Sequence, residues 1–211
     1  MSELGIVGKD MKLRRQAENL HRKAEMISGR LQSLAEGVAK QYGARVTPIN
    51  LKSVGSIMRK AKGEQNGIKD IKDSYRTTII ADKNSIPKII KSLSGSNKNG
   101  FKIERIKQQK LDTGYTGNII NFKDRRTGIV GEIQINTPKM IYAKENYSIA
   151  YKILGGKTMR SIYKETKMPS GWGHALYEQS RTVSKYRRNN SENAKYSKLQ
   201  NLQKAYYGKF Q

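Results

Sequence analysis

Apolar residues recur along the first part of the chain at Leu13, Ala17, Leu20, Ala24, Ile27, Leu31, Leu34 and Val38, a strict alternation of four and three. That spacing keeps one stripe of a helix apolar and predicts an amphipathic helix over Lys9–Tyr42. Gly43 follows, a residue suited to the left-handed conformation beyond a helix end. A seam this narrow has two uses: a homo-oligomer through the N-terminal helix, or packing on the chain's own domain, which is the favoured reading. His21 stands one position off the seam and reads as a surface residue.

Further along, Arg45–Lys52 is short and rich enough in β-formers for a strand, and Ser53 introduces a helical stretch through Ile57, Met58 and Ala61 that Gly63–Gly67 breaks. YRTTIIA, Tyr75–Ala81, reads as a buried strand. Asn84 is placed to cap a helix through Ile86, Ile89, Ile90 and Leu93, with Pro87 in its first turn, ending in the loop Ser94–Gly100. Alternation over Phe101–Ile106, Ile119–Phe122 and Ile129–Ile135 predicts three more strands, the last two joined by a hairpin-sized loop, Lys123–Gly128. From Pro138 a helical period runs through Met140, Ile141, Tyr142, Tyr147 and Ile149 towards Gly155 and Gly156. Thr158–Lys167 and Gly173–Tyr186 follow as helices joined by the turn Pro169-Ser170-Gly171. This order describes an α/β (α+β) fold: a mixed, mostly antiparallel sheet of about five strands flanked by helices, with a long N-terminal helix and a basic helical C-terminal extension. The expected division is 1–44 for the helix, 45–155 for the core and 156–211 for the extension.

Lysine and arginine number 42 against 17 acidic residues, a formal net charge of +25. Most of these cations therefore face solvent or a polyanion: nucleic acid, a polyphosphate substrate or an anionic surface. A membrane is the weakest of the three, because no stretch approaches about 18 consecutive apolar residues, and Met1–Lys12 lacks the apolar core of a secretory signal. The absence of cysteine excludes disulfides, thiolate zinc sites and a thiol nucleophile, and the two histidines cannot form a three-histidine metal site. Any catalytic metal then leans on carboxylates, which points to magnesium or manganese. Over Lys185–Gln211, seven Lys/Arg stand against one acid with four tyrosines interleaved. Such a stretch suits single-stranded nucleic acid, cations tracking phosphate and rings stacking on bases, and equally reads as a solvated tail.

Two acids are associated with β-structure: Asp73 immediately before YRTTII, and Glu132 inside GEIQI. Each alone reads as a surface ion pair. Their weight changes beside Lys52-Ser53-Val54-Gly55-Ser56-Ile57-Met58-Arg59-Lys60, where a strand end gives way to a helix bearing cations. Helix N-terminal amides, a hydroxyl and such cations together make a polyphosphate cradle.

At these residues the sequence resembles the synthetase domain of the RelA/SpoT alarmone synthetases. LKSVGSIMRK resembles that family's ATP-phosphate block, IKDSYRTTII its metal-binding strand, TGYTGNI its acceptor loop and GEIQINTPKM its second acidic strand. With AKENYSIAYK these blocks cover Arg45–Lys152 in the family's order. The short Asp-x-x-Arg spacing and the Lys-Glu after the last strand look closer to the phage-associated and toxin-type small synthetases. The resemblance implies transfer of pyrophosphate from ATP to the ribose 3′-hydroxyl of a purine nucleotide, or in some toxin relatives to a tRNA 3′ end. It implies Mg²⁺ held by Asp73 and Glu132, a triphosphate gripped by Lys52, Ser56, Arg59 and Lys60, and Arg76 near the adenine or the phosphates, while strand alternation puts Gln134 on the face of Glu132, where it can orient that carboxylate. An acceptor site of Gly114, Tyr115, Asn118 and Asn136 follows, with Tyr115 stacked on the acceptor base. Also implied are an antitoxin or immunity protein as partner, and cytoplasmic action by a chain that is delivered or phage-encoded.

The chain departs from the family pattern at Asn50, Asn136 and Asn146, where arginine, arginine and histidine are usual, and at Ile119, where the acceptor loop commonly has histidine. These departures bear on acceptor identity more than on ATP binding. They leave two other readings open: a catalytically degenerate RNA-binding protein on the same scaffold, and a nucleic-acid-binding structural module. No His-Asp hydrolase motif is present. In GWGHALYE, Trp172 and His174 either line the acceptor pocket or anchor a terminal helix.

Overall fold

A computed structural model describes residues 3–95, 100–186 and 189–211, without the side chains of 3–7 and 184–186. The chain divides into two compact units, Met1–Lys107 with Ile119–Ile135, and Gln108–Asn118 with Asn136–Gln211. This differs from the expected division: the long helix is part of the first unit, and the helices after Pro138 join the C-terminal extension.

The sheet is built from β1 (Arg45–Val46), β2 (Asn50–Leu51), β3 (Tyr75–Ile80), β4 (Phe101–Lys110), β5 (Thr116–Asp124) and β6 (Val130–Asn136). Its order is β1-β3-β6-β5-β4, with β2 also on β3. β1 and β2 both run antiparallel to β3, pairing Arg45 with Ile80 and Asn50 with Arg76. The single strand expected over Arg45–Lys52 is interrupted between them. Pro48 has no N–H to give to a ladder, and the Thr77 hydroxyl bonds to the Thr47 carbonyl while Thr47 Oγ1 accepts from the Thr78 N–H at 3.0 Å.

In the first unit α1 (Glu3–Gln41) lays its seam on the sheet. Ala24, Ile27, Leu31, Leu34 and Val38 share one buried cluster with Tyr75, Ile79, Phe101, Phe122 and Ile133. Lower on the same helix, Ala17 packs with Ile57, Ala61 and Ile71, bringing in α2 (Val54–Ala61). Among the described residues, the apolar seam from Ala17 to Val38 is thus packed within the chain's own unit. Gly43 ends the helix at φ 61°. α3 (Ile86–Ser94) begins after Ser85, one residue beyond the expected cap Asn84, and buries Ile89 and Leu93. Of the loop expected to follow it, Ser96–Asn99 lie outside the described residues.

Helix and sheet approach closely at Gly131, where an added Cβ would overlap the Tyr75 ring and lie 2.9 Å from Leu31 Cδ2. Gly131→Ala is expected to destabilise the first unit by ~1–3 kcal/mol, the usual cost of overpacking. Gly37→Ala, where an added Cβ meets nothing within 4 Å on α1, is expected to stabilise it by up to ~1 kcal/mol. Urea denaturation of the two variants checks the pair, and a Gly131→Ala protein as stable as the parent would contradict the packing.

The second unit contains α4 (Pro138–Lys144), α5 (Tyr147–Leu154), α6 (Gly156–Thr166), α7 (Trp172–Tyr186) and α8 (Asn190–Gly208). The continuous helix expected from Pro138 to Gly156 is two helices, because Glu145 is extended and Asn146 caps α5 by accepting from the Ile149 N–H at 3.0 Å. The basic C-terminal stretch is also not a solvated tail. Leu199, Tyr206, Tyr207 and Phe210 are buried, Gln203 donates to Ser180 Oγ at 3.0 Å, and the Tyr206 hydroxyl donates to the Pro169 carbonyl at 2.7 Å. Two of the tyrosines read as spacers for bases are therefore core residues. The Tyr186 side chain and Arg187–Arg188 lie outside the described part.

Candidate active site

The N-terminus of α2 is shaped by Ser53, whose extended backbone (φ −62°, ψ 152°) lets its Oγ accept from the Ser56 N–H at 3.3 Å. The Ser53 hydroxyl also donates to Ser56 Oγ at 3.1 Å, and Arg59 reaches the same oxygen at 3.3 Å. Lys52 leads into this turn. Its N–H bonds to the Ser74 carbonyl at 2.9 Å, and its carbonyl lies 3.0 Å from His21 Nδ1 on α1. His21 is thus half-buried and holds the backbone that leads into α2 rather than standing at the surface.

Asp73, two residues before β3, receives both neighbouring lysines. Lys52 Nζ lies 2.9 Å from one carboxylate oxygen and Lys60 Nζ 2.8 Å from the other. Asn50, Lys52, Ser53, Ser56, Asp73 and Arg76 line a cleft of about 260 Å³. Arg76 faces it from the β3 position paired with Asn50. Burial opposes the Asp73 charge, yet the hydrogen bonds from Lys60 and Lys52 outweigh it and hold the carboxyl below its ordinary range. A carboxyl depressed by folding stabilises the protein above its unfolded pKa, and that contribution is lost as pH falls through the folded value. Lys60→Met is therefore expected to move the acid-side loss of stability to higher pH. Thermal melts at a series of pH values below about 5 check this, and an unchanged acid limb would refute it.

Glu132, on β6, is only 7% exposed. Its Oε1 accepts from Gln134 at 2.7 Å and its Oε2 from Asn121 at the long distance of 3.4 Å. Strand alternation placed Gln134 on the face of Glu132, and the bond is formed. Asn121, not singled out in the sequence, is fully buried. Its amide also donates to the Lys72 carbonyl at 3.0 Å and its Oδ1 accepts from Arg105 at 3.1 Å. One side chain so ties the Glu132 carboxylate to the backbone just before Asp73. Among the described residues Glu132 has no ion pair, only amide donors. A buried carboxylate in that state suits a cation. No cluster of three or more His, Cys, Asp or Glu occurs among the described residues. Asp73 and Glu132, the two acids singled out in the sequence, are both oxygen donors, a chemistry that fits a magnesium ion completed by phosphate and water oxygens and does not fit zinc.

The acceptor candidates lie in the second unit. Gly114 turns at φ 82°, where an added Cβ would lie 3.1 Å from Tyr207 Cβ. Tyr115 meets the Tyr207 ring edge-on with centroids 5.6 Å apart. The Tyr115 hydroxyl and Asn136 Oδ1 both lie 2.8 Å from the position a Cβ would take at Gly117. Asn136 is buried and its Oδ1 has no hydrogen-bond partner among the described residues, while Asn118 is half-buried on β5. His174 is exposed in the first turn of α7, its ring stacked on Tyr177 at 6.3 Å. Trp172 leans on Tyr206 at 6.3 Å, in keeping with an anchoring role for that cluster.

Fold and sequence together are those of a RelA/SpoT-like synthetase domain. Over 167 residues the chain is 32% identical to the (p)ppApp synthetase toxin Tas1 of Pseudomonas aeruginosa (strain UCBPP-PA14), a match covering 79% of this chain and 37% of that protein. The chain thus spans well under half the length of this curated relative. It is also similar to Tas1 as seen in the crystal structure of the complex between the Type VI effector Tas1 and its immunity protein, with a TM-score of 0.76 and 28% identity over 93% of this chain and 96% of that one. The small alarmone synthetase 1 from Bacillus subtilis bound to its product pppGpp shares the fold, with a TM-score of 0.51 at 19% identity over 69% of this chain and 86% of that one. No protein-family model matches the chain. Among the described residues no helix is long and apolar enough to cross a membrane.

Proposed function

We propose that the chain is a pyrophosphokinase that moves the β,γ-pyrophosphoryl group of ATP onto the 3′-hydroxyl of a purine nucleotide. The observation that carries this reading is Asp73, just before β3, held between Lys52, which precedes α2, and Lys60 in the last turn of α2, in a domain similar to a (p)ppApp synthetase toxin. The 3′-oxygen attacks the β-phosphorus, the bond from that phosphorus to the α,β-bridging oxygen breaks, and AMP leaves. Lys52, Lys60, Arg59 and the Ser56 hydroxyl grip the triphosphate, and Arg76 lies against the adenine or the phosphates. Asp73 and Glu132 would hold Mg²⁺, which when bound offsets charge building up on the phosphate oxygens. Gln134 fixes Glu132 Oε1, and Oε2, the oxygen with the longer bond, takes the proton from the attacking hydroxyl.

Tyr115 stacks on the acceptor base, with Gly114, Asn118 and Asn136 shaping its surroundings and His174 a further acceptor contact. Kinship to a (p)ppApp synthetase makes an adenine nucleotide the first acceptor, with a guanine nucleotide or a tRNA 3′ end as alternatives. By the same kinship an immunity protein is the partner, and the chain acts in the cytoplasm of a cell into which it is delivered. Incubation with γ-labelled ATP, Mg²⁺ and separate pools of AMP, ADP, ATP, GDP, GTP and deacylated tRNA tests the reading. Label is expected in the adenine pools, and no transfer into any pool would overturn it.

A further inference from the structure

Apart from the residues assigned to transfer, the second unit contains a cavity of about 610 Å³ between α4, α5 and α6. Its floor is Tyr142, buried and fixed by a hydrogen bond from its hydroxyl to the Met168 carbonyl at 2.9 Å. Tyr147 and Tyr151 enter from α5 one turn apart, their rings tilted by 30° with centroids 6.0 Å apart. From α6 come Arg160, Tyr163 and Lys164. Tyr147, Tyr151 and Tyr163 are 65%, 48% and 52% exposed, so these rings surround a concavity without filling it.

The corner between α5 and α6 adds a second observation. An added Cβ at Gly156 would lie 3.2 Å from the Tyr151 hydroxyl and 3.3 Å from Arg160 Nη1, so phenol and guanidinium converge on one spot beside this glycine. Neither Arg160 nor Lys164 has an acidic partner among the described residues, and Glu165, their neighbour on α6, is taken by Lys139. The wall therefore offers flat aromatic faces and two uncompensated cations. A ligand that satisfies both is planar at one end and anionic at the other. The volume falls within the ~300–1,000 Å³ typical of small-molecule sites, and base stacking on tyrosine with phosphate on arginine is the matching chemistry.

We propose that this cavity is a second nucleotide-binding site, taking a purine nucleoside 5′-phosphate with its base among the tyrosines and its phosphate on Arg160 and Lys164. It goes beyond the transfer reaction and does not depend on it. Photolabelling of the full chain with 8-azido-ADP, followed by peptide mapping, tests the proposal. Label is expected on peptides spanning 147–163, competed by unlabelled ADP and not by equal inorganic phosphate. It persists in Lys52→Ala, which disables the triphosphate cradle, so failure of the transfer reading leaves this result untouched. The double variant Arg160→Ala/Lys164→Ala, its fold verified by melting, is expected to label about tenfold less or worse, the usual effect of losing charge-assisted hydrogen bonds. Tyr163→Leu provides a second variant with the cations intact, also expected to label weakly. Absence of label from α5 and α6 at saturating probe, or labelling indifferent to all these substitutions, would overturn the site and leave the cavity as a surface for an acidic, aromatic segment of a protein.

Discussion

Glu132→Gln is expected to abolish pyrophosphate transfer, lowering kcat by ~10²–10⁴-fold, the range seen when a positioned proton acceptor is lost. The substitution keeps the shape of the side chain. The carboxylate is only 7% exposed and is held by neutral amides from Gln134 and Asn121, so an amide there costs little packing. What disappears is the negative charge, and with it the metal donor and proton acceptor of the proposed reaction. Binding of ATP through Lys52, Lys60 and Arg59 should survive, so KM for ATP changes far less than kcat. Steady-state kinetics with labelled ATP, alongside a melting curve matching the parent, check the outcome. Activity within a fewfold of the parent would remove Glu132 from the chemistry.

Deleting Asn190–Gln211 is expected to unfold the second unit and to destroy transfer to every acceptor alike. The deletion strips Leu199, Tyr206, Tyr207 and Phe210 from the buried core and removes the Tyr206 bond to the Pro169 carbonyl. Losing a single large buried side chain costs ~2–5 kcal/mol, against a total stability of ~5–15 kcal/mol for an ordinary domain. Four such losses leave nothing to hold the remaining helices. Circular dichroism should show helix lost beyond the deleted residues, and transfer to ADP and to tRNA should fall together. A truncated protein that still melts cooperatively and fails only with tRNA would show that the segment serves RNA instead of the core.

That second case also shows where the sequence was legible and where it was not. The seam of α1 was plain because every fourth or third residue is apolar and few aromatic or polar residues interrupt it. α8 and the turn that follows it carry a comparable stripe at Leu199, Gln203, Tyr206 and Phe210, but a glutamine stands in it and lysines surround it, so its tyrosines looked like spacers in a basic tail. Gln203 is buried because its amide finds Ser180 Oγ and the Leu176 carbonyl on α7, partners that no local pattern announces. The break between α4 and α5 was hidden for a related reason. Met140 to Ile149 keeps a helical period across a point where Asn146 starts a new helix. At the site, Ser53 and Gln134 follow from capping and strand alternation, rules that act over two or three residues. Asn121 and His21 act over 49 and 31 residues, on the carbonyls of Lys72 and Lys52. They become visible only when the chain is folded.

The two lysines on Asp73 have a bearing on how the site meets its substrate. Free lysines in a cleft hold diffuse counterions, and a polyanion binds largely by releasing them. Here Lys52 and Lys60 are already paired with a carboxylate inside the protein. In the proposed reaction an arriving triphosphate exchanges one fixed anion for another, and the cradle works as an ion exchanger. Fewer salt ions are set free, so ATP affinity should fall less steeply with ionic strength than in Asp73→Asn, where the lysines are left to the solvent. In that proposed reaction the same exchange would uncover the Asp73 oxygens only once phosphate is present, so the metal donor would be assembled by the substrate that needs it.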